Sequence, residues 1–139
     1  MPMDIIWAVK PHILYINIYG IISIDDSLNT DKIVRAYLDN TEHPIHLLQN
    51  IQHVDGIHFN WRAMTNALTA FRHPKLGVVV NIWNPKNTFV RVASEFFNRA
   101  LNITTYNVDS YEDASVYFRK TLGLALPTKD PTQHPLQDK

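Results

Sequence analysis

A chain of 139 residues, 45% hydrophobic and 19% charged, has the make-up of one ordinary globular domain. Thirteen basic residues balance thirteen acidic ones along the chain, which argues against a nucleic-acid or anionic-membrane footprint. The absence of cysteine removes a disulfide framework, a thiolate nucleophile and cysteine-ligated zinc.

No apolar run approaches the ~20 residues of a membrane span. The start, Met1-Pro2-Met3-Asp4, lacks the basic region of a secretory signal, so the expected location is the cytoplasm. Ile5 to Val9 predicts a first strand and Ile13 to Tyr19 a second. Their connection at Lys10-Pro11-His12 is too short for a parallel crossover, so the two form an antiparallel hairpin. The second strand has two unlike rows. Leu14, Ile16 and Ile18 are aliphatic and suit a core under helices. Ile13, Tyr15, Asn17 and Tyr19 suit a face that is only partly covered.

The Asp25-Asp26-Ser27 cluster precedes a helix predicted over Leu28 to Asn40, with Ile33, Val34, Tyr37 and Leu38 facing the core. His43-Pro44 stops it. Ile45 to Val54 predicts a third strand, and Asp55-Gly56 a turn. A second helix begins near Asn60, with Trp61, Met64, Ala67, Leu68 and Phe71 on one face. Leu76 to Trp83 is a near-continuous apolar run, the pattern of an interior parallel strand. Thr88 opens a third helix whose apolar face carries Phe89, Val92, Ala93, Phe96, Phe97, Ala100 and Leu101. Ile103 to Val108 predicts a short edge strand. Ser110 caps a last helix with Ala114, Tyr117, Phe118 and Leu122 on its apolar face, and Gly123 ends it. Pro127 to Lys139, with three prolines and almost no apolar residues, reads as a disordered tail.

The expectation is an α/β domain over residues 1–126, a single, mostly parallel five-stranded sheet in the order β-β-α-β-α-β-α-β-α. Its first strand is antiparallel. That order resembles the STAS-type fold of sulfate transporter and anti-sigma factor antagonist domains, and more closely their small stand-alone bacterial relatives. The residues that carry the resemblance are Trp7 ahead of Ile13-Leu14-Tyr15-Ile16, His73 to Val80, and Tyr111-Glu112-Asp113-Ala114. It implies helices mainly on one face of the sheet. In the anti-sigma antagonist branch a kinase phosphorylates a serine at the start of the helix after the third strand. The matching segment here, Asp55 to Trp61, holds no serine or threonine, so an added phosphate has no acceptor.

Chemical motifs are sparse. His53 and His58 flank Asp55 at the end of a strand, where α/β sheets place ligands, and are the residues an acid–base or metal site would use. No H-E-x-x-H, G-x-S-x-G or glycine-rich phosphate loop accompanies them. Asn84-Pro85-Lys86-Asn87 reads as a plain strand–helix connector, with no glycine to let a phosphate approach. The sequence therefore points to no catalytic residues, metal or cofactor. It points to a non-enzymatic STAS-like module acting through protein contacts, as a homodimer, with Tyr15, Asn17, Tyr19, Asp55 and His58 as the interaction residues. The alternative is a carrier or sensor of a small, apolar, lipid-like ligand held between helices and sheet.

Overall fold

Three residues separate the first two strands, and His12 closes the reversal by donating its backbone N–H to the Val9 carbonyl at 2.7 Å. The computed structural model describes residues 3–58, 68–84, 86–103 and 105–131. The elements are β1 (Met3–Val9), β2 (Ile13–Ser23), α1 (Ile24–Asp39), β3 (Ile45–His58), β4 (Leu76–Ile82), α2 (Thr88–Leu101), β5 (Thr105–Val108) and α3 (Tyr111–Leu122), with a 3-10 turn at Ala70–Arg72. The strands form one five-stranded sheet in the order β1-β2-β3-β4-β5. β1 runs antiparallel to β2, and the remaining pairs are parallel. The predicted helix at Asn60, with Trp61, Met64 and Ala67, lies outside the described residues.

Strands laid down in order and joined by right-handed crossovers keep their connecting segments on one face. Accordingly α1 and the 3-10 turn cover the same side: Leu14, Ile16, Leu47 and Val79 pack with Val34, Leu38 and Ala70. The last helix is not a crossover and folds back on the opposite face. There Ile13, Tyr15, Leu48, Val80 and Ile82 pack with Tyr111, Ala114, Phe118 and Leu126. Alternation of side chains along each strand produces these two cores.

Caps set the helix ends. Ser23 Oγ accepts from the Asp26 backbone N–H at 3.1 Å, and the Asp26 carboxylate accepts from the Ser23 N–H at 3.0 Å, a reciprocal capping box. It starts α1 at Ile24, four residues before the predicted Leu28. The Ser23 backbone N–H and then its hydroxyl hold the Asp26 carboxyl below its ordinary value. Ser110 caps α3 as predicted, accepting from Asp113 N–H at 3.1 Å. Gly123 leaves that helix at φ 68°, a left-handed conformation that glycine adopts without strain. In α2, Val92 and Phe96 are exposed, contrary to their expected place in the core.

One turn signal is overridden. Asp55-Gly56 is not a turn: β3 runs through it to His58, held by pairing with β2 as far as Ser23. Gly20 and Ile21 of β2 pair with Val54 and Gly56, which leaves Asp55 as the extra residue of a bulge. Another irregularity lies between β3 and β4, where Ile45 and Leu47 pair with Leu76 and Val79. The Val78 N–H released there donates to His46 Nδ1 at 2.9 Å. A Cβ at Gly77 would overlap the His46 ring, so this close approach requires glycine.

Beyond α3 the chain keeps contact with the domain. Leu126 is buried, the Pro127 carbonyl accepts from Tyr111 Oη–H at 2.7 Å, and Asp130 accepts from Tyr15 Oη–H at 2.9 Å. Low hydrophobicity hid this segment because its contacts are polar. Residues 132–139 lie outside the described residues.

Candidate functional site

Two places combine aromatic and polar side chains. The first lies on the sheet face under α3. Tyr15 and Asn17 of β2 are fully buried there, and Asn50, which pairs with Asn17 across β2 and β3, is 3% exposed. Asn50 Nδ2–H donates to Tyr15 Oη at 3.2 Å, and its Oδ1 accepts from the Gln52 N–H at 3.1 Å. Tyr15 stacks on Tyr111 with ring centroids 6.0 Å apart. Burial, then the Asp130 and Glu112 carboxylates, push the Tyr111 hydroxyl up to about 12, so it remains a proton donor. The chain's own residues 124–131 close this polar centre. Tyr15, Asn50 and Tyr111 each take part in a hydrogen bond there.

This placement corrects the sequence reading of the Tyr15/Asn17/Tyr19 row. Tyr15 and Asn17 are fully buried and do not present a surface; α3 and the segment after it cover Tyr15. Tyr19 is half-buried and pairs with His53. His53 and Asp55 are exposed on the last stretch of β3. His58 closes that strand opposite Ser23, and its side chain lies outside the described residues. Among the described residues, no group of three or more His, Asp or Glu side chains could hold a metal ion.

The second place is open. A groove of about 640 Å³ runs between the hairpin and the C-terminal half of α1. Trp7, Pro11, Ile33, Tyr37 and Ile45 form its apolar wall, and Asn40, Thr41, Glu42 and His43 its polar end. Trp7 and Tyr37 meet edge to face, with centroids 5.3 Å apart and planes at 86°. His43 Nδ1 lies 3.2 Å from the Pro44 carbonyl, and its ring is 5.0 Å from that of His12. The groove sits where β2 and β3 begin, the end opposite to that favoured by ligands in parallel sheets. The sequence showed Trp7 in a strand and Tyr37 on a helix face. Their meeting depends on how α1 crosses the hairpin, and nothing in the local pattern marked Glu42.

Comparison with solved structures identifies the fold. An uncharacterised protein of the DUF3478 family with a SpoIIAA-like fold, from Shewanella loihica PV-4, matches with a TM-score of 0.60 and 16% identity, over 83% of this chain and 90% of that one. The anti-sigma factor antagonist SpoIIAA in its unphosphorylated form matches with a TM-score of 0.59 and 12% identity, over 86% and 99%. The chain has the STAS-like fold that its element order resembles. No protein-family model and no curated protein matches the sequence.

Proposed function

We propose that this chain is a non-enzymatic regulatory module of STAS type that works by binding protein, with a second copy of itself as the simplest partner. The observation that carries this reading is the likeness of 86% of the chain to 99% of an anti-sigma factor antagonist. Regulation by phosphate at the position used in that branch is not part of the proposal, since residues 55–61 carry no serine or threonine. Support for a protein-binding surface comes from apolar side chains in the open. Ile21 near the end of β2 is 55% exposed, Leu28 on the following helix 39%, and Phe96 on α2 42%. A contiguous patch of such side chains is the kind of surface that binds protein.

Light scattering at micromolar concentration tests the proposal. A dimer mass that falls to the monomer mass in Ile21→Lys or Phe96→Glu supports it. Wild-type protein that stays monomeric as concentration rises overturns the self-association.

The open groove favours a second reading, a carrier or sensor of a small apolar molecule. Its volume lies within the range of small-molecule sites, and its wall is aromatic and aliphatic with a few polar groups at one end. Mass spectrometry of gently purified protein should then find an apolar compound that co-purifies.

A further inference from the structure

The groove has one apolar wall and one polar end, and the chemistry of that end selects among ligands. Glu42 is its single formally charged lining residue, and it is exposed. Asn40 is the C-cap of α1, so the polar end lies at the negative end of the helix dipole, and the last turn of α1 carries no basic residue to offset it. Trp7 and Tyr37 line the adjoining wall, and the faces of such rings attract cations. A carboxylate, a helix C-terminus and two electron-rich rings all favour positive charge.

We propose that the groove binds an amphipathic organic cation, a substituted ammonium group carried on an apolar or aromatic body. This rests on the reading of the groove as a small-molecule site and names the ligand class. The body lies along Ile33, Pro11 and Ile45, and the ammonium sits between Glu42 and the Trp7/Tyr37 pair. Two charged side chains beside the polar end have partners of their own. Lys75 Nζ donates to the Glu42 backbone carbonyl at 3.2 Å and is not among the lining residues. Asp39 is paired with His73 Nε2 at 2.8 Å. His43 and its neighbour His12 are the groups whose protonation would oppose a bound cation.

Three probes with one aromatic body and different heads test this: benzyltrimethylammonium, benzyl alcohol and phenylacetate. Each is titrated into the full chain while backbone amide NMR shifts are followed at Tyr37, Asn40 and Thr41. The cation is expected to bind about five-fold or more tighter than the alcohol, and phenylacetate weakest. Glu42→Gln, a surface change that leaves the fold intact, should erase most of that preference and leave the alcohol's affinity unchanged. Tyr37→Leu should weaken the cation as well, with a thermal melt confirming that this variant is folded. Equal affinity for all three heads, or a preference that survives Glu42→Gln, overturns the proposal and leaves the groove as a site for apolar molecules. No shift with any probe overturns both readings.

Discussion

The two aromatic–polar regions of this molecule differ in who satisfies them. Under α3, Tyr15, Asn50 and Tyr111 have their polar atoms engaged by the protein itself, and the chain returns after α3 to complete the set through Pro127 and Asp130. In the groove beside α1, Trp7 and Tyr37 pack on each other but remain half-buried, and the polar end stays in the open. A buried polar group left without a partner costs about 1–3 kcal/mol. The closed region is therefore built to hold the fold, and the open one has capacity left for a ligand. Similar residue types are closed over in one place and left open in the other because only one is covered by its own chain.

The largest expected effect separates the two by truncation. Phe118→Ala, at a fully buried position under α3, should destabilise by about 3–5 kcal/mol. Tyr37→Ala, at a half-buried position in the groove, should cost about 1–2 kcal/mol. Urea unfolding of both variants measures the gap, and equal losses would dissolve the distinction between closed and open regions.

Removing one hydroxyl is the next step down. Tyr15→Phe keeps the ring but takes the partner from Asn50 and Asp130, at about 1–3 kcal/mol. Asp130→Asn should have a smaller effect, about 0.5–1.5 kcal/mol, by weakening a single bond from the returning segment. If that variant melts with the wild type, residues 127–131 rest on the closed region without stabilising it.

The last prediction concerns pH. Burial, and secondarily His12, hold His46 below its ordinary value of 6.5. Its Nδ1 accepts from Val78 N–H, an acceptor role that is lost if that nitrogen is protonated. Folded protein thus binds fewer protons there than unfolded protein. The contribution of His46 is fully present above about pH 6.5 and is lost as pH falls below it. Denaturation midpoints compared between pH 8 and pH 5 should drop less in His46→Gln than in wild type. Parallel curves would show that the ring's protonation is not coupled to folding.

Much of this architecture was legible in the residues. The apolar run Leu76–Trp83 read as an interior strand, which forms over Leu76–Ile82, the connection at residues 10–12 was too short for anything but a reversal, and Ser110 and Gly123 marked the two ends of the last helix. These are local matters of spacing, reach and capping, decided within a few residues. What the sequence could not reveal was coverage. It showed that Tyr15 and Asn17 share a face but not that α3 would fold back over it, and it marked Asp55-Gly56 as a turn when pairing with β2 carried the strand through. Trp7 and Tyr37 are thirty residues apart and meet only because α1 crosses the hairpin. Periodicity fixes which way a side chain points. Whether it then meets solvent, a helix or the chain's own end is a long-range packing outcome, and the tertiary structure alone decided it.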